Sequence, residues 1–145
     1  MHFDAILALI VILEVIETFM HIHCLGINHN TASVSLREKL AFSDDQVRSA
    51  LSRLGCGVGL STINEMIILS TCNRVEIYAI STSASSNELE TFLSEIHSIP
   101  HNDLAPHLYH HKNQETIDHL LHVAAGLNSL VLGEPQILGQ VTHAL

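Results

Sequence analysis

Basic residues are scarce in this chain: six lysines and arginines stand against fifteen acidic residues in 145, a formal charge of −9. That balance argues against a domain that grips nucleic acid through a broad phosphate-binding face. Four of the six (Arg37, Lys39, Arg48 and Arg53) cluster in one stretch, which leaves a small local patch and otherwise reads as a solvated helix face. Cysteine is scarcer still. Cys24, Cys56 and Cys72 are an odd number with no C-x-x-C pair, which speaks against a disulfide framework or a thiolate zinc site and fits a reducing cytosol. A long apolar span is also missing. Residues 5–13, AILALIVIL, are bracketed by Asp4, Glu14 and Glu17, and a helix over 5–16 would reach about 18 Å against the about 30 Å of a bilayer core. The run has neither the basic start nor the small-residue cleavage site of an export signal, so no membrane or export segment is expected. A dinucleotide loop is lacking too. GCGVGL, Gly55 to Leu60, breaks the G-x-G-x-x-G spacing at Leu60 and follows a helical stretch rather than a strand.

What is present points to one globular domain or slightly more, 47% hydrophobic and able to bury a core without disulfides. His21 to Ile27 alternates as a first strand. Ser43 and Gln46 form a capping box that opens a helix to about Leu54. Met66–Ser70 and Val75–Ile80 read as two strands meeting at a tip. Ser85-Ser86-Asn87-Glu88 reads as a second capping box, with Leu89, Phe92, Leu93 and Ile96 at helical spacing up to Pro100. Leu104–His110 is expected to supply a last short strand. The order strand, helix, strand, strand, helix, strand is that of an α+β, ferredoxin-like split βαβ sandwich. A helical segment follows over 113–145. Its first helix runs to about Leu132 with Ile117, Leu120, Leu121 and Ala124 as its apolar face, Gly133 stops it, and Pro135 starts another. Twelve histidines are present, most of them expected at the surface, and no metal site is expected because none has a cysteine or carboxylate at ligand spacing.

The tip at Ser70-Thr71-Cys72-Asn73-Arg74 carries the chemistry. Turns favour Gly, Asn, Asp or Pro, and this one carries a thiol. A cysteine on a tip that interrupts an apolar strand is reachable, and Arg74 two residues on would favour the nucleophilic thiolate. Thr71, Asn73 and Arg74 add hydroxyl, amide and guanidinium donors suited to a carboxylate or an oxyanion.

Three stretches carry a resemblance: LGINHNTASVSLREKLAFS (25–43), ILSTCNRVEIYA (68–79) and HLLHVAAGLNSLVLGEPQILGQV (119–141). From Met20 onward the chain resembles the N-terminal catalytic domain of the glutamyl-tRNA reductase family, with 20–110 as its α/β part, 113–145 as its helical part, and 1–19 as an apolar extension outside the match. The resemblance implies an oxidoreductase of the cytoplasm that opens tetrapyrrole (porphyrin) biosynthesis. Cys72 would attack the ester joining glutamate to its tRNA, and NADPH would reduce the resulting thioester to glutamate-1-semialdehyde. Thr71, Asn73 and Arg74 would line the glutamate site. Ser129, Glu134, Pro135, Gln136 and Gln140 would form a second binding segment, and His119 would transfer a proton or polarise the carbonyl. Family members continue into an NADPH-binding domain and a dimerisation domain, so a homodimer is implied for them. Three positions depart from the family pattern: His122 stands for arginine, Asn128 for aspartate and Ser33 for proline. The competing readings are an inactive fragment or a module that binds glutamyl-tRNA without reducing it, and a thiol hydrolase that loses the thioester to water.

Overall fold

The computed structural model describes residues 20–54, 56 and 59–127. Four strands, β1 (His21–Asn28), β2 (Ile63–Ser70), β3 (Arg74–Ser81) and β4 (Tyr109–Lys112), form one sheet in the order β2-β3-β1-β4, antiparallel throughout. Helix α1 (Val34–Leu40) and helix α2 (Asp44–Ser52) connect β1 to β2, and α3 (Asn87–His97) with a short α4 (His101–Leu104) connects β3 to β4. This is the ferredoxin-like arrangement expected from the element order, with a further helix, α5 (Gln114–Ala124), added at the end.

The period-2 alternation of β3 divides the molecule. Val75, Ile77 and Ala79 join Leu25, Ile27, Leu40, Leu89, Phe92 and Leu93 in the main core on one face of the sheet. Tyr78 turns to the other face, where a smaller cluster with Cys24, Leu69 and Val123 lies beneath α5. Residues Arg74 and Glu76, in phase with Tyr78, face the same way and are buried.

Several elements differ from the sequence expectation. The capping box at Ser43 is present, its hydroxyl accepting from the Gln46 amide while Gln46 accepts from the Ser43 amide. The second box is not: Ser86 is the N-cap of α3 without a side-chain cap bond, because the Glu88 carboxylate turns to Ser61 and Thr62 across the fold. The expected strand over 104–110 is a helical turn, a 3₁₀ turn (Ala105–His107) and then β4. Pro106 has no amide to donate to a ladder, and Leu104 is drawn wholly into the core. Helix α1 was not expected at all. Helix α5 stops at Ala124, with Gly126 at φ 71° just beyond, rather than running to Leu132. Its inner face is Thr116, His119, Leu120 and Val123, while Ile117 and Leu121 are exposed. The surface expectation for the histidines fails at His23, which is fully buried. Its Nε2 donates to the Ser83 carbonyl at 2.8 Å, which leaves Nδ1 as acceptor for His110 Nε2 at 2.9 Å.

Burial acts in one direction on many of these rings. Desolvation lowers His23, His29, His97, His110 and His111 below the usual 6.5, His110 to about 4. The unfolded chain therefore binds more protons than the folded one between pH 6.5 and 4, and stability is lost as pH falls through that window. The melting temperature should drop steadily from pH 7 to pH 5. A flat profile over that range would contradict the burial of these rings.

Candidate active site

The hairpin tip closes across Cys72 and Asn73. The Thr71 amide donates to the Arg74 carbonyl at 2.8 Å, and the Thr71 hydroxyl accepts from the amides of Asn73 and Arg74, each at 3.2 Å. Neither Cys72 nor Asn73 adopts a positive φ, so this is not one of the mirror-image turns that demand glycine. Ordinary φ at both central positions admits a cysteine, and the Thr71 hydroxyl satisfies the amides of the turn. Cys72 is exposed. Two further groups brace the tip: the Phe42 amide donates to Ser70 Oγ, and Arg37 Nε donates to the Cys72 carbonyl.

One strand pair inward lies Glu76, fully buried. Arg74 Nη1 donates to Glu76 Oε1 at 2.9 Å, His119 Nε2 donates to the same oxygen at 2.8 Å, Tyr109 OH also donates to it, and Tyr78 OH donates to Oε2 at 2.7 Å. Burial alone would raise the Glu76 carboxyl. The bonds from His119, Arg74, Tyr109 and Tyr78 outweigh it and hold the group below its ordinary value, so it is ionised. The bond to a carboxylate puts the His119 proton on Nε2 and leaves Nδ1 as the ring's other nitrogen. His111 stacks on His119 with ring centroids 4.5 Å apart. His119, His111 and Tyr109 line a cleft of about 340 Å³ with Asn28, His29 and Asn30. Asn28 pairs directly with Arg74 across the sheet, so the cleft and the thiol tip share one sheet end.

Gly26 makes this cluster possible. It sits between Glu76 on β3 and Tyr109 on β4, and a Cβ there would lie 2.6 Å from the Val75 carbonyl oxygen and 2.8 Å from Glu76 Cγ. The missing side chain is the space in which Glu76 is held. A Gly26→Ala protein should lose about 1–3 kcal/mol of stability by overpacking, measured by urea denaturation. Wild-type stability would show that the carboxylate is not confined there.

The sequence-predicted residues divide into three groups. Thr71, Cys72, Asn73, Arg74 and His119 come to one end of the sheet. Arg74 is buried against Glu76 rather than displayed at the tip. Ser129, Glu134, Pro135, Gln136 and Gln140 lie outside the described residues, as do 1–19 and Asn128. Sequence reasoning missed Glu76 and Arg37, and the apparent basic patch loses Arg37 to burial while Arg48 and Arg53 pair with Asp45 and Glu95. Ser33 caps α1 by accepting from the Leu36 amide, and His122 Nδ1 bonds the Asp118 carbonyl on the exposed side of α5. Cys24 Sγ, a Glu76 oxygen and a ring nitrogen of His119 lie within 4.8 Å of one another, a compact donor set. It fits a cation poorly, because the Arg74 guanidinium already occupies the same carboxylate and burial pushes the Cys24 thiol up, away from the thiolate form that metals bind.

The sequence model for the glutamyl-tRNAGlu reductase N-terminal domain matches residues 25–145. The chain belongs to the glutamyl-tRNA reductase family. It is 49% identical over 125 residues to the glutamyl-tRNA reductase of Shewanella amazonensis and 48% identical over 125 residues to that of Pseudoalteromonas translucida. In each case the match covers 86% of this chain and 29% of the relative's length. The solved glutamyl-tRNA reductase from Methanopyrus kandleri superposes with a TM-score of 0.61 at 31% identity, over 85% of this chain and 27% of the other. The fold is thus that of the family's N-terminal domain. Among the described residues, no helix is long and apolar enough to cross a membrane.

The three thiols of this family member differ in access. Cys24 is buried, and Cys56 is exposed with its thiol donating to the Ser52 carbonyl. Iodoacetamide should label Cys72 first, Cys56 more slowly, and Cys24 only on unfolding, as read by peptide mass spectrometry. Equal rates for Cys72 and Cys56 would remove the case for an activated thiol.

Proposed function

We propose that this domain cleaves the ester of glutamyl-tRNA through a thioester on Cys72. The exposed thiol, set at the same sheet end as a histidine oriented by a buried carboxylate, is the observation that supports this reading. The Cys72 sulfur attacks the ester carbonyl, a C–S bond forms, and the C–O bond to the ribose breaks. The thiol's proton passes to the departing ribose oxygen. His119 suits that relay because Glu76 fixes its Nε2–H, so Nδ1 is the nitrogen that takes and returns the proton. Thr71, Asn73 and Arg74 contribute to the glutamate pocket. In that assignment Arg74 serves partly by neutralising Glu76, and Ser129, Glu134, Pro135, Gln136 and Gln140 complete the pocket.

In a protein of the relatives' full length, NADPH would supply the hydride that converts the thioester to the semialdehyde, and pairing into a homodimer belongs to that longer protein. The described residues do not fit a dinucleotide: the glycine-rich run that includes Cys56 and Gly59 follows α2 rather than a strand. No hydride step is assigned to them.

Mixing the protein with glutamyl-tRNA, with and without NADPH, tests the proposal. The expected result is a Cys72 glutamyl adduct or free glutamate by mass spectrometry, absent in Cys72→Ser, and no semialdehyde under either condition. Semialdehyde formed by this chain alone would overturn the division of labour. Deacylation no faster than in Cys72→Ser would favour a binding module or an inactive fragment.

A further inference from the structure

Arg37 is an arginine with only 8% of its surface exposed, on a helix whose neighbouring Glu38 and Lys39 lie in solvent. It makes no carboxylate pair among the described residues. Its guanidinium instead bridges two backbone carbonyls: Nη1 donates to Ala32 at 2.6 Å and Nε donates to Cys72 at 3.2 Å. The first anchor is rigid by its own bonds. In the turn after β1, the amides of Thr31 and Ala32 donate to the Asn28 carbonyl, the Asn30 amide donates to Asn28 Oδ1, and the Asn28 amide donates to Thr31 Oγ1. The second anchor is the residue that carries the thiol.

We propose that Arg37 is a positioning residue for Cys72, a guanidinium strut that fixes the peptide plane after the thiol against the turn at 28–32. This inference rests on the reading of Cys72 as nucleophile. The physical argument turns on the fork geometry of guanidinium. Two nitrogens of fixed separation can hold two carbonyls at once, whereas an ammonium is a single point on a flexible stem. Thr71 secures the amides of Asn73 and Arg74 but leaves the Cys72 carbonyl to Arg37. Thr71 holds that plane by its Asn73 amide and Arg37 holds it by its Cys72 carbonyl. Without the strut the plane keeps one anchor of two and the tip loosens around the thiol, and displacement of a reacting atom by about 1 Å costs on the order of 100-fold in rate. Lysine at 37 would retain the charge and lose the span.

Arg37→Lys and Arg37→Gln, made in the full chain, separate span from charge. Three readouts apply: amide hydrogen exchange along the hairpin, the melting temperature, and ester cleavage of glutamyl-tRNA resolved into kcat and KM. In both variants the amides of Cys72–Arg74 should exchange on the order of 10-fold faster while those of β1 and the rest of β3 keep their protection. The kcat should fall by about 10- to 100-fold, a larger change than any rise in KM, since the thiol sits on the loosened plane while the Arg74 side chain stays held by Glu76. Wild-type kcat and tip protection in Arg37→Lys would overturn the proposal, because charge alone would then suffice. A uniform loss of protection across the sheet would overturn it too, by reducing Arg37 to a general support. If neither variant folds, the wild-type Arg37 Nε–H resonance decides: slow solvent exchange and coupling to the Cys72 carbonyl are expected, and rapid exchange would refute the strut. Should wild-type protein show no ester cleavage, the nucleophile reading fails, and the exchange data still decide whether the strut exists.

Discussion

An ionised carboxylate with no access to water is the constraint around which this domain is arranged. Burying a lone charge is prohibitive unless its partners are already in place, and Glu76 has donors from four side chains on three elements. Each of those donors explains a residue choice that composition alone does not. Arg74 neutralises the charge, Tyr78 and Tyr109 fill the remaining lone pairs, and Gly26 yields the volume. His119 turns the inner face of α5 into a mixed polar and apolar surface, which is why Thr116 and Val123 face inward while the larger Ile117 and Leu121 remain outside.

The hairpin tip is arranged by a different principle. Its order comes from hydrogen bonds between side chains and backbone, made by Thr71, Ser70 and Arg37, none of which requires burial of the tip itself. A thiol must stay reachable to react, so the backbone beneath it is held from the sides and from behind. Cys72 and His119 thus rest on unlike supports, the one on a braced turn and the other on a helix locked to a buried anion.

The sequence made the sheet legible where signals were local. The alternation of β1, the Ser43–Gln46 box and the apolar runs around the tip depend on neighbours a few residues away, and the structure contains all of them. Helix α1 escaped because position N3 after its Ser33 cap is Leu36, so no Glu or Gln announces the helix start. Glu76 escaped for a longer-range reason. A glutamate between Val75 and Ile77 in an alternating strand reads as the solvent-facing position, and nothing within the strand reveals that a helix 43 residues later will cover it. Cys72 and His119 stand out in the sequence through the motifs they share with a known family. The groups that position them do not, because their roles are set by contacts rather than by residue type.

The attachment of α5 has a consequence for how the domain comes together. Asn113, held at φ 48°, clasps Ile22 by two hydrogen bonds, its amide to the Ile22 carbonyl and its Oδ1 from the Ile22 amide. That clasp joins residues 91 apart in the chain, whereas the tip and its strut close a loop of 35. Closing the longer loop costs more chain entropy before any contact repays it. By loop entropy alone the tip is the cheaper closure, and Glu76 lacks its His119 donor until α5 is docked. Docking α5 and completing the donor set of the buried carboxylate are a single event.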